Sequence, residues 1–186
     1  MLIMGHGAGG GITAPDLQAA AGVAADRELT VALVEQPYRV AGRRSPSPAA
    51  QLDAAFTAVV AHLADADLGG RPLILGGRSS GARVACRCAG ALGAAAVLCL
   101  AFPLLPPHRA NARREPQSRL DELDAVSVPT LVVQGSRDRF GMPPAGPHRQ
   151  VVTLTGDHSL RSDLPGLRVA VGDWLGRLTR LPSDGG

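Results

Sequence analysis

Residues 73–86, LILGGRSSGARVAC, constrain the fold more than any other stretch of the chain. Leu73-Ile74-Leu75 is a short apolar run that reads as a buried strand. Gly76-Gly77-Arg78-Ser79-Ser80-Gly81 follows, and the chain then turns Ala- and Arg-rich, which favours helix. A strand therefore becomes a helix within a few residues, with serine at the junction. The glycines at 77 and 81 bracket Ser79 in a G-x-S-x-G pattern, the signature of a sharp elbow. A residue at such an elbow is held in a strained conformation, and side chains two positions either side of it would clash. The strain lifts the Ser79 hydroxyl above the sheet edge. The first amides of the following helix point to the same place and favour negative charge there.

In a chain with 23 glycines the pattern alone is weak, so the rest of the chain has to decide. Apolar periodicity and turn residues predict strands over residues 1–4, 29–34, 71–76, 94–101, 130–134 and 150–154. They predict helices over 15–26, 49–66, 80–92, 120–125 and 163–178. Residues 35–48 and 102–119 read as loops rich in proline. Strands alternating with helices imply an α/β fold with about six mostly parallel strands and helices on both faces. Residues 1–181 are expected to form one domain with little or no cap, and 182–186 a disordered tail.

Ligands of parallel sheets gather in the loops beyond the carboxyl ends of the strands. Past the first strand lies His6-Gly7-Ala8-Gly9-Gly10, and past the third Ser79. Past the fifth comes Gly135-Ser136-Arg137-Asp138, and past the sixth Gly156-Asp157-His158. Each residue alone has a plain reading: Asp138 as a turn aspartate, His158 as a loop histidine. Together they form a nucleophile, an acid and a base in the order Ser…Asp…His, each just past a strand. Asp157 is too close in sequence to orient the His158 ring and is read as a turn residue. His62, His108 and His148 are read as structural or exposed.

Two backbone N–H groups are needed for a tetrahedral oxyanion. Ser80 supplies one, and Ala8, with Gly9 next, the other. His6, Arg78, Arg43 and Phe102 are candidates for touching substrate, and Arg43, Arg44 and Arg78 for favouring an anionic one. The glycine-rich loop could instead cradle a phosphate, but it lacks a P-loop lysine, and Glu35 is the nearest candidate for a ribose-binding acid.

At 19% charged and 45% apolar residues, with net charge +3, the composition is that of an ordinary globular protein. All 19 basic residues are arginine, a bias expected of GC-rich bacterial coding. The arginines are scattered without interleaved aromatics, which argues against a nucleic-acid surface. The three cysteines, Cys86, Cys88 and Cys99, fall in apolar settings, so reduced thiols and a cytoplasmic home are expected. No cysteine or histidine pair stands at metal-ligand spacing, no cofactor is called for, and no apolar run is long enough to span a membrane. The expected partner is a small-molecule substrate, the protein acting as a monomer or homodimer.

HGAGGG (6–11), LGGRSSGARVA (75–85), FPLLPP (102–107), VVQGSRD (132–138) and GDHSL (156–160) together resemble α/β-hydrolases of the dienelactone-hydrolase-like branch. The resemblance extends to the small testis-expressed hydrolase-like proteins and to subunit three of the NSL acetyltransferase complex, and covers nearly the whole chain. It implies a serine hydrolase with Ser79 as nucleophile, Asp138 as acid and His158 as base, acting on a small ester, thioester or lactone. Because some relatives in this group are non-catalytic subunits, a silent binding or scaffold protein is the alternative, as is an acyltransferase on the same triad. The family commonly has one or two strands before the HGAGG loop, whereas this sequence starts within that strand.

Overall fold

In the computed structural model the protein is described over residues 1–65, 71–106 and 117–178. A six-stranded sheet forms the centre, built from β1 (Leu2–Gly5), β2 (Val31–Val34), β3 (Ile74–Arg78), β4 (Ala96–Leu100), β5 (Thr130–Gly135) and β6 (Arg149–Leu154). All five pairings are parallel, in the order β2-β1-β3-β4-β5-β6. The helices are α1 (Pro15–Ala25), α2 (Pro37–Val40), α3 (Ala49–Leu63), α4 (Ser80–Ala89), α5 (Leu120–Asp124) and α6 (Leu164–Leu178).

The strands read as continuous apolar runs because both faces are covered, and successive side chains feed two different cores. Leu2 and Met4 of β1, Leu98 and Leu100 of β4, and Leu131 and Val133 of β5 face one core with α1 and α6. Ile3, Val97, Cys99 and Val132 face the other, with α3, α4 and α5. Connectivity explains the division. The chain steps outward from β1 to β2 through α1, then moves the opposite way from β3 to β4 through α4. Right-handed crossovers in opposite directions place their helices on opposite faces. The reversal falls between β1 and β3, and an open parallel sheet has its binding crevice above such a switch point.

The structure departs from the sequence reading in three places. The expected 35–48 loop contains a one-turn helix, α2, started by Pro37 at its first position and anchored by the buried Tyr38. The third strand runs through Gly76 and Gly77 instead of ending there, because the two glycines pair with Leu98 and Cys99 where the neighbouring backbone comes close. A Cβ on Gly76 would stand 2.9 Å from the Leu98 carbonyl oxygen. The final helix begins one residue later than expected, after a 3₁₀ turn over Arg161–Asp163. The expected tail at 182–186, the last residue of the expected 49–66 helix and most of the second half of the 102–119 loop lie outside the described residues. Among the described residues, no helix is long and apolar enough to cross a membrane.

Candidate active site

Ser79 occupies the step between β3 and α4 with φ 52° and ψ −110°, a conformation non-glycine residues rarely adopt. Its amide donates to the Leu100 carbonyl (2.9 Å) and its carbonyl accepts from the Arg83 amide (3.3 Å), so both neighbouring elements hold the strained backbone. The flanking glycines are sterically required. A Cβ on Gly77 would lie 2.5 Å from the Gly81 backbone, and one on Gly81 would run into the Gly5 carbonyl.

Three side chains from three strand ends meet here. His158 Nε2 lies 2.9 Å from Ser79 Oγ, and His158 Nδ1 lies 2.7 Å from Asp138 Oδ2. The Asp138 side chain is fully buried, while the His158 side chain is 19% exposed, so only the serine end of the line opens to solvent. Asp138 is held on both oxygens. Oδ1 accepts from the Phe140 amide (2.9 Å), and Oδ2 also accepts from Gln134 Nε2 (2.9 Å). The Phe140 ring meets the His158 ring edge-on, with centroids 4.5 Å apart. A serine hydroxyl on an imidazole can give its proton to Nε2 while the buried carboxylate holds the Nδ1 proton and stabilises the resulting cation.

A second set of bonds fixes the histidine loop. Arg78 Nε donates to Asp16 Oδ2 (2.7 Å), and Arg78 Nη2 donates to the His158 carbonyl (3.0 Å). Burial pushes the Asp16 carboxyl above its usual range, and the adjacent Arg78 guanidinium offsets part of that. Asp157 turns the loop by accepting from the Ser159 amide (2.9 Å) and hydroxyl (2.6 Å). Those bonds hold its carboxyl below the usual range.

The cleft above the switch point has a volume of about 580 Å³. Ala8, Gly9, Ser79, Ser80, Arg78 and His158 all line it. The loop after β1 runs against the elbow, since a Cβ on Gly7 would sit 3.2 Å from Ser79 Cβ. Tyr38 Oη donates to the Ala8 carbonyl (3.3 Å) and pins that loop from behind. The Ser80 amide is the first of α4 and has no partner within the helix.

Of the four side chains expected to touch substrate, three do not line the cleft. His6 is fully buried, and its Nδ1 donates to the Gly7 carbonyl (2.7 Å) while its Nε2 accepts from the Gln36 amide (2.9 Å). Nε2 therefore has no proton to offer Glu35 Oε1, 3.3 Å away, and the contact is not a charged pair. Its partners make His6 a brace that shapes the loop. Phe102 is fully buried in the core shared with α3 and α4, because the chain turns inward after β4. Arg43 is exposed and lies outside the cleft, on the turn after α2. Arg78 does line the cleft, but Asp16 already neutralises it.

Sequence reading missed Gln134, Asp16, Phe140 and a group of arginines. Gln134 carried a usable signal, as a polar residue inside the apolar strand Thr130–Gly135. The others are brought in by tertiary packing alone. Among the described residues, no group of three or more His, Cys, Asp or Glu side chains is placed to share a metal ion.

The fold recurs in solved structures of low sequence identity. A serine hydrolase without lid from Xanthomonas campestris, XC6422, matches with a TM-score of 0.73 at 20% identity, over 99% of this chain and 84% of that one. Est1E from Butyrivibrio proteoclasticus with bound ferulic acid matches with a TM-score of 0.75 at 15% identity, over 96% and 88%. TT1662 from Thermus thermophilus matches with a TM-score of 0.68 at 21% identity, over 96% and 89%. No curated protein sequence matches the chain. The family model described as an alpha/beta hydrolase domain matches residues 1–163. With that match over most of its length, and with this sheet and strand-end cleft, the chain belongs to the alpha/beta hydrolase family.

Proposed function

We propose that the protein is a serine hydrolase cleaving a small ester, thioester or lactone through an acyl-enzyme. The observation that carries this reading is the unbroken hydrogen-bonded line from Ser79 Oγ through His158 to Asp138, opening into the cleft at the serine. In this reading Ser79 Oγ attacks the acyl carbonyl carbon, forming a C–O bond as His158 Nε2 takes the hydroxyl proton. Asp138 keeps the Nδ1 proton in place and stabilises the imidazolium. The carbonyl oxygen becomes an oxyanion that accepts from the Ser80 amide and from the Ala8 amide, or from that of Gly9. Collapse breaks the bond to the leaving group, which takes the proton from His158. Water then repeats the sequence to release the acid.

The GGRS-x-G-x-R elbow and the FPLLPP stretch support a place near the dienelactone-hydrolase-like branch and the testis-expressed hydrolase-like proteins. The similarity to XC6422, a serine hydrolase without lid, supports a reading in which small substrates enter directly. The three cysteines are free thiols, which suits a reducing cytoplasm.

A fluorophosphonate probe should label the wild-type protein at Ser79 and leave Ser79→Ala unlabelled. Equal labelling of the two would overturn the proposal. In an ester and thioester panel, Ser79→Ala should lower kcat on the order of 10⁶-fold.

A further inference from the structure

Six arginines line the cleft, at 78, 83, 87, 119, 139 and 161. Arg78 is paired with the buried Asp16. Arg83 forms a two-point pair with Glu122, at 2.8 and 2.5 Å. Arg87 forms a two-point pair with Asp53, at 2.8 and 2.6 Å, and also reaches Glu122 at 3.1 Å. Arg139, which stacks 4.8 Å over the Phe140 ring, and Arg161 are exposed; among the half-buried arginines Arg119 is different. Its hydrogen bonds among the described residues go to the carbonyl oxygens of Pro103 (3.0 Å) and Leu105 (3.4 Å). Those bonds aim the guanidinium but do not neutralise it. Among the described residues, three half-buried guanidinium groups on one wall of the cleft, Arg83, Arg87 and Arg119, are thus matched by two carboxylates, Asp53 and Glu122, behind them.

We propose that the cleft selects a substrate bearing an anionic group, a carboxylate or a phosphate, and that Arg119 binds that group. The inference rests on the serine hydrolase reading of the same site and names its substrate class. A surplus guanidinium fixed by carbonyls presents free donors in a planar fork that matches a carboxylate or phosphate. Arg119 is held below its usual pKa by burial, then by Arg83, while Glu122 opposes the shift; its charge lacks full compensation. The wall is also close to the elbow. Arg83 lies in the first turn of α4, four residues after Ser79, and its amide donates to the Ser79 carbonyl. Arg119 and Ser79 line the same cleft, so one small substrate can carry both the anion and the reacting carbonyl. This replaces the expectation that Arg43, Arg44 or Arg78 would serve: Arg43 and Arg44 are outside the cleft, and Arg78 already has its acid.

Two matched pairs of esters separate the sources of the anion: p-nitrophenyl butyrate (neutral) against mono-p-nitrophenyl succinate (anion on the acyl side), and p-tolyl acetate (neutral) against the acetate ester of 4-hydroxyphenyl phosphate (anion on the leaving group). At low salt, kcat/KM for at least one anionic ester should exceed that for its neutral counterpart by about tenfold or more. Arg119→Gln should bring that ratio close to one. Arg119→Lys, which keeps the charge and loses the fork, should retain part of it. Arg177→Gln, which removes a charge on α6 outside the cleft, should leave the ratio as it is in the wild type.

Binding is read separately from turnover. Succinate or inorganic phosphate should raise the melting temperature of the wild type more than that of Arg119→Gln. Hydrolysis of the neutral esters with no anionic preference and no anion-dependent shift overturns this inference and leaves the hydrolase reading standing. Failure of the probe to label Ser79 overturns the hydrolase reading, while the melting shifts still decide whether Arg119 binds anions.

Discussion

Arg78 Nη2 donates to the main-chain carbonyl of His158 across 3.0 Å, tying the residue before the elbow serine to the loop that carries the histidine. The same guanidinium rests on Asp16, whose side chain is 1% exposed. Removing Arg78 would therefore leave an unpaired buried carboxylate and release the histidine loop. Arg78→Ala should destabilise the protein by about 3–5 kcal/mol, measured by urea unfolding. Arg78→Lys should recover part of the stability but less of the activity, because an ammonium cannot span Asp16 and the His158 carbonyl with a rigid fork. Equal recovery of both would mean that the link to His158 has no positioning role.

The strained conformation of Ser79 should be separable from its chemistry. Glycine adopts a positive φ without a Cβ penalty, so Ser79→Gly should raise stability by about 1 kcal/mol. The same variant should lose ester hydrolysis and probe labelling. A loss of stability in Ser79→Gly would show that the hydroxyl bond to His158 outweighs the strain.

Gln134 is fully buried at the end of β5, where the two N–H bonds of its Nε2 are shared among Asp138 Oδ2, the Phe102 carbonyl and the Gly141 carbonyl. Gln134→Leu removes a donor from Asp138 and from the Phe102 and Gly141 carbonyls, of which Phe102 keeps the Leu104 amide. A lost bond to a charged group amounts to about 1.5–3 kcal/mol, or roughly 10- to 100-fold in kcat if Asp138 loses its orientation. KM should change much less than kcat. A change confined to melting temperature, with kcat intact, would make Gln134 purely structural.

Glu122 joins α5 to α4 through Arg83 and Arg87. Burial alone would raise its carboxyl, but the two guanidinium groups outweigh this and hold it below the usual glutamate range. A depressed carboxylate contributes stability that is present above the unfolded pKa, about 4.3, and is lost as pH falls through the lower folded value. Wild type should therefore exceed Glu122→Gln in urea stability at pH 7, with the difference shrinking progressively below about pH 4. A pH-independent difference would contradict this linkage.

Local chemistry made much of the architecture legible. Continuous apolar runs marked the buried parallel strands, and Pro15 and the alanines after it marked α1. The steric demand for Gly77 and Gly81 was readable for the same reason, since it arises from an elbow a few residues long. Placing Ser79, Asp138 and His158 just past their strands required only the strand ends and the rule that parallel strands present their carboxyl ends together. The one-turn helix α2 escaped because four residues are too few to show a period.

By itself, then, the sequence determined the α/β alternation, the elbow and the strand-end positions of a serine, an acid and a histidine. These follow from short-range periodicity, backbone sterics and chain order. Only the tertiary structure decided which side chains face the cleft. It turned Phe102 into the core, bound His6 to Gln36, neutralised Arg78 with Asp16 and, among the described residues, left Arg119 with only carbonyl partners. Those outcomes depend on contacts between residues tens of positions apart, which no local pattern encodes. The charge surplus on the cleft wall comes from α3, α4, α5 and the residue before α5 converging, and it exists only once the helices have packed.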